Sequence, residues 1–145
     1  MADLVRLSFS IEAPLVAKLE QLLEQSTYTN RSEFIRDLIR DRLVQRLWTE
    51  DQEAVGALTI VYDHHASGLT EKLTALQHIH HSLILAVTHV HLDRDICVEV
   101  ILVKGQASQI QEMLNKLRRH KGVFHGTLSI TSTGSAWIDP ESEQG

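Results

Sequence analysis

Hydrophobic residues recur along this chain with two different periods. In residues 5–11, VRLSFSI, the apolar Leu7, Phe9 and Ile11 alternate with Arg6, Ser8 and Ser10. Strict alternation predicts a half-buried strand. The period then lengthens. Pro14 stands near a helix start, and Leu15, Leu19, Leu22 and Leu23 follow at helical spacing. After a turn at Tyr28-Thr29, Asn30 and Glu33 form a capping-box pair. The helix they open carries Phe34, Ile35, Leu38, Ile39, Leu43 and Leu47 on one stripe. Residues 48–55 are polar and acidic apart from Trp48, and read as a linker.

The second half repeats the two periods in a different order. A strand is expected over 56–65, then a loop at Ser67-Gly68 and a helix over 69–81. A strand over 84–92 turns through Asp93-Arg94-Asp95 into another over 96–105. Ser108 with Gln111 forms a second capping box. The helix it opens buries Ile110, Met113, Leu114 and Leu117 and stops at Gly122, before a last strand over 123–131. Residues 133–145, with Trp137, show no period and read as a mobile tail.

These orders imply an α+β chain of two domains. Residues 1–47 form a β-α-α unit too small to bury enough surface alone, and its single strand has two unpaired edges. Two copies pairing their strands would solve both problems. The resulting ribbon would project Arg6, Ser8 and Ser10 into a DNA major groove. Residues 56–132 follow the β-α-β-β-α-β order of the ferredoxin-like unit. Its sheet carries both helices on one face and needs a cover, most economically a second subunit, on the other.

Composition sharpens this division. The formal net charge is −5, a weak argument against nucleic acid. Residues 1–47, however, balance seven basic against seven acidic side chains, and all nine histidines lie in the second half. No apolar run approaches the roughly 20 residues a membrane span needs, and no signal segment opens the chain. A cytoplasmic protein with no membrane partner is expected. The single cysteine cannot form a disulfide within its chain.

Residues 77–97 hold that cysteine and five of the nine histidines. His89 and His91 share one strand face. The turn places Cys97 opposite His91 and Glu99 opposite His89, about 5 Å apart at Cβ. Val90, Leu92, Ile96, Val98 and Val100 fall on the other face, which is expected to meet the helices. His78 lies about 200° around its helix from Leu76. It faces away from its own core, toward a neighbouring subunit's hairpin. Three nitrogens and a sulfur suit Ni(II), Cu(II) or Zn(II), and coordination geometry separates them. Glu99 is expected to support a ligand by hydrogen bonding. His64, His65, His120 and His125 read as surface residues. His80 and His81 read as core or auxiliary positions.

Two resemblances follow from these residues. RLSFSI and YTNRSEFIRDLIR resemble the ribbon-helix-helix family of DNA-binding proteins. That likeness implies base contacts from Arg6, Ser8 and Ser10. It also implies a phosphate held at the helix start by Asn30, Arg31 and Ser32, where free N–H groups and the helix dipole favour an anion. With Gln77-His78, His89-Val90-His91, Cys97-Val98-Glu99 and Leu102-Val103-Lys104-Gly105, the chain is similar over residues 5–130 to the nickel-responsive transcriptional regulators, which join such a domain to an ACT-like one. This likeness implies a homotetramer, a dimer of dimers, with one square-planar Ni(2+) per subunit. His89, His91 and Cys97 of one subunit and His78 of another would hold it. It further implies binding to a double-stranded DNA operator and repression of nickel uptake. Glu33 and Asp37 match positions that serve a further cation between domains. The loop Asp63-His64-His65-Ala66-Ser67 lacks the basic residues that touch DNA backbone in relatives.

Other readings stand beside this one. A ribbon-helix-helix regulator sensing copper, cobalt or zinc fits the same donors. One sensing a small molecule would leave the His/Cys face unexplained. A Cys-His or metal enzyme would need an open coordination position or a substrate cleft, so no enzyme is expected.

Overall fold

The computed structural model describes residues 3–135 and divides into two compact units, Met1–Asp41 and Arg42–Gly145. Trp137 and most of the expected tail lie outside the described residues.

In the first unit, helix α1 (Ala13–Glu24) starts with its proline in the first turn. Pro14 costs nothing there, because the first N–H groups of a helix lack partners anyway. Helix α2 (Arg31–Thr49) is capped as expected: Asn30 Oδ1 accepts the Glu33 N–H at 3.0 Å. Phe34 is buried, with the Tyr28 ring edge-on at 5.3 Å.

The expected strand over residues 5–11 does not form. These residues carry no secondary structure, and Leu7 and Phe9 are 77% and 61% exposed. A strand requires a hydrogen-bonding neighbour, and this one has none within its own chain. On the two helices Leu15, Leu22, Leu38 and Ile39 are exposed as well.

The expected linker is also corrected. Helix α2 continues through Trp48 to Thr49, and the next strand begins at Glu53. Only residues 50–52 connect them. Trp48 is a packing residue rather than a linker residue: its indole N–H donates to the Thr131 carbonyl at 3.0 Å and its ring lies against the core.

The second unit has the expected order: β1 (Glu53–Asp63), α3 (Leu69–Ile79), β2 (Ile84–His91), β3 (Ile96–Gln106), α4 (Ala107–Arg118) and β4 (Val123–Thr131). The antiparallel sheet runs β2-β3-β1-β4, the ferredoxin-like, ACT-like arrangement. Leu58, Ile60 and Tyr62 of β1 and Ile101 and Val103 of β3 pack with Leu69, Leu73, Ile110, Met113, Leu114 and Leu117 of the helices.

Helix α4 starts one residue before its expected cap. Ser108 is already helical, and Asp51 caps the helix from the preceding connection. The Asp51 carboxylate accepts the Ser108 N–H at 2.7 Å and the Ser108 hydroxyl at 2.9 Å. Among the described residues no helix is long and apolar enough to cross a membrane.

Candidate metal centre

The hairpin β2-β3 has the expected register, with His91 opposite Cys97 and His89 opposite Glu99. Asp93 closes its turn by accepting the N–H groups of Asp95 and Ile96 at 2.8 and 2.9 Å. Those two bonds hold the Asp93 carboxyl below its ordinary range.

The assignment of the two hairpin faces is overturned. Cys97, Glu99, Ile101 and Val103 are the buried positions of β3, on the helix-bearing side. Val90, Val100 and Leu102 lie on the open face, exposed by 46%, 37% and 40%. β2 is an edge strand, so His89 and His91 on its helix side remain exposed while their cross-strand partners Glu99 and Cys97 are buried.

The donor atoms are close. Cys97 Sγ lies 3.1 Å from His91 Nδ1 and 3.4 Å from His64 Nδ1. Among the described residues, His64, His91 and Cys97 form one group whose donor atoms all fall within 4.8 Å of one another. His64 is exposed, as expected, and its ring nitrogen also lies beside Cys97. The strand topology carried a signal for this. β1 and β3 are antiparallel neighbours, so the end of β1 lies beside the start of β3, where Tyr62 pairs with Cys97.

His89 and His78 lie outside that group. The His89 ring stacks edge-on against His91 at 4.9 Å, but its Nδ1 lies 3.2 Å from the Tyr62 hydroxyl. His78 is exposed in the last turn of α3. Its carbonyl accepts from the ring of His81, which thereby serves the helix end. Within one chain the four expected ligands are not assembled.

Two further residues shape the centre. Burial pushes the Tyr62 phenol up to about 12, with the Glu99 and Cys97 charges adding to the rise. The hydroxyl therefore stays protonated at working pH and can donate between His89 and Cys97. Burial likewise pushes the Cys97 thiol up, and the Tyr62 hydroxyl draws it partly back. Glu99 is a buried carboxylate whose Oε1 accepts from Gln77 Nε2 at 3.1 Å. It thus ties the hairpin to the residue preceding His78.

In the first unit Arg6, Ser8, Ser10, Asn30, Arg31 and Ser32 are all exposed. Arg31 pairs with Glu20. The Asp37 carboxylate is engaged by the Tyr28 hydroxyl and by Arg40, which hold it below its ordinary range. Glu33 is exposed beside the cap.

Known proteins agree with this anatomy. The family model "NikR C terminal nickel binding domain" matches residues 55–131, and "Ribbon-helix-helix protein, copG family" matches residues 5–46. A protein of Syntrophus aciditrophicus named "Putative nickel-responsive regulator" is 45% identical over 134 residues, which is 92% of this chain and 98% of its own. One of the same name from Solibacter usitatus is 46% identical, covering 93% and 98%. Among solved structures, an uncharacterised protein of Thermotoga maritima matches 55% of this chain and 98% of its own, with a TM-score of 0.50 and 18% identity. That likeness speaks to fold alone. The two matched domains follow the two units, and the match to these relatives spans nearly their whole length. The chain belongs to the NikR family of nickel-responsive regulators, in which a ribbon-helix-helix domain precedes a nickel-binding ACT-like domain.

Proposed function

We propose that this regulator binds one Ni(2+) per subunit through His89, His91 and Cys97 of one subunit and His78 of another in a homotetramer. Occupancy then controls binding to a double-stranded DNA operator, with repression of nickel uptake as the outcome. The observation that carries this reading is the approach of His91 Nδ1 to Cys97 Sγ at 3.1 Å, with the His89 ring alongside. An imidazole nitrogen and a thiolate sulfur that close together can bind one transition-metal ion on adjacent coordination positions. The residues therefore fit such an ion.

When bound, nickel supplies a fixed planar arrangement of three nitrogens and a thiolate. The chain supplies the rest. The Tyr62 hydroxyl orients His89, and Glu99 holds Gln77 and with it the end of α3 that presents His78. The open apolar sheet face, with Val90, Val100 and Leu102, suits burial against another subunit. Residues 5–11 become ordered when two chains pair them, and Arg6, Ser8 and Ser10 then read bases. Asn30, Arg31 and Ser32 hold a phosphate at the start of α2. Metal and operator must favour each other's binding by the same factor.

The test is a nickel titration followed by absorbance, with operator affinity measured in parallel. Cys97→Ala should remove the thiolate charge-transfer band and the metal-dependent gain in operator affinity. Equal operator affinity with and without nickel would sink the sensing mechanism even if nickel binds.

A further inference from the structure

We propose that the Glu20 carboxylate of α1 stands in for a DNA phosphate on Arg31, and so holds down the affinity of the DNA-binding unit for every duplex until a phosphate displaces it. The proposal rests on the reading of Arg31 as a phosphate contact at the start of α2. It adds the residue that competes for that contact.

Arg31 is the first residue of α2, and its guanidinium is ion-paired with Glu20 on α1. A cation is poorly placed there on local grounds, because the N-terminus is the positive end of the helix dipole. The Asn30 side chain caps the Glu33 N–H and leaves the arginine alone. Arg31 therefore serves something other than the stability of its own helix. Carboxylate and phosphate offer a guanidinium fork the same paired oxygens. A phosphate brought to Arg31 finds donors already engaged, and it is repelled by the Glu20 charge. Both side chains are open to solvent, by 64% and 42%, so a DNA backbone can reach them.

The pair also accounts for the charge of this unit. Residues 1–47 balance seven basic against seven acidic side chains, where the footprint of a DNA binder is ordinarily basic. Glu20 and Asp37 are two of those acids, paired to Arg31 and Arg40. Sequence-independent DNA binding comes from phosphates neutralised by Lys and Arg. An acid held on a phosphate-contacting arginine lowers it directly. Arg6, Ser8 and Ser10 take no part in the pair, so discrimination between sequences stays with the ribbon. Glu20 thus keeps the regulator off bulk DNA at no cost in specificity. An exposed ion pair of this kind changes an equilibrium by about 1.5- to 5-fold. Two copies in one ribbon give roughly 2- to 25-fold.

The experiment uses the full chain with nickel, and fluorescence anisotropy on a random-sequence duplex and an operator duplex. Glu20→Gln should tighten both by the same factor, roughly 2- to 25-fold, and the gain should shrink as salt rises. Glu24→Gln removes the same charge one turn further along α1 without touching the pair, and should give a smaller gain. In an Arg31→Ala background Glu20→Gln should give no gain, since the partner is gone. Unchanged or weaker binding by Glu20→Gln overturns the proposal. So does an equal gain in Glu24→Gln, or a gain that persists without Arg31. Arg31→Ala alone tests the underlying reading and should weaken both duplexes alike. No loss there sinks the phosphate contact and the competition with it. A loss there with no gain in Glu20→Gln sinks the competition alone.

Discussion

Gln77 donates a 3.1 Å hydrogen bond to the buried carboxylate of Glu99. The bond joins α3 to β3 one residue before His78 and across the sheet from His89. Glu99→Ala leaves the Gln77 amide without its partner and frees the last turn of α3. Nickel affinity should fall on the order of 10–100-fold. Glu99→Gln keeps an acceptor at the same place and should retain most of the affinity. Equilibrium dialysis on both variants checks this, and equal loss in both would show that the charge matters rather than the tie.

Tyr62→Phe removes the hydroxyl that stands between His89 and Cys97. The buried ring is kept, so thermal stability should change little. Nickel should bind more weakly, and its thiolate charge-transfer band should move. An unchanged spectrum would mean that the hydroxyl leaves the centre when metal enters.

Asp51 caps α4 and does so with a positive φ of 54°. Asp51→Ala should lower the melting temperature. Asp51→Asn, which tolerates the left-handed region and keeps one acceptor, should lower it less. The bonds from Ser108 depress the carboxyl below its ordinary value of 3.8. A depressed folded-state pKa contributes stability that is fully present above that value and disappears as pH falls through the folded one. The gap between wild type and Asp51→Ala should therefore narrow below about pH 4, as thermal melts across acid pH would show.

Gly122 has φ +100°, and a Cβ there would stand 2.7 Å from Ala66 Cβ and 2.9 Å from Leu69 Cδ2. Both the backbone and the space require glycine. Gly122→Ala should cost about 1–3 kcal/mol in denaturant unfolding.

Arg6→Ala should abolish operator binding and leave nickel binding intact, because Arg6 belongs to the first unit and the ligands to the second. Retention of operator affinity by a gel-shift or anisotropy measurement would refute the ribbon assignment.

The sequence by itself determined what local pattern can determine. The helical periods, the Asn30 cap, the β-α-β-β-α-β order and the register that sets His91 against Cys97 all follow from spacing within a few residues. Long-range relations were decided by the tertiary structure. Which hairpin face meets the helices could not be read locally, since both faces carry apolar residues; the packing of Cys97, Ile101 and Val103 into the helix-side core decided it. Asp51 replaced Ser108 as the cap of α4 because a carboxylate distant in sequence reaches both its N–H and its hydroxyl. His64 came to Cys97 because antiparallel β1 ends where β3 begins. Residues 5–11 mark the remaining boundary. Their alternation is fit for a strand, but a strand exists only when something pairs with it.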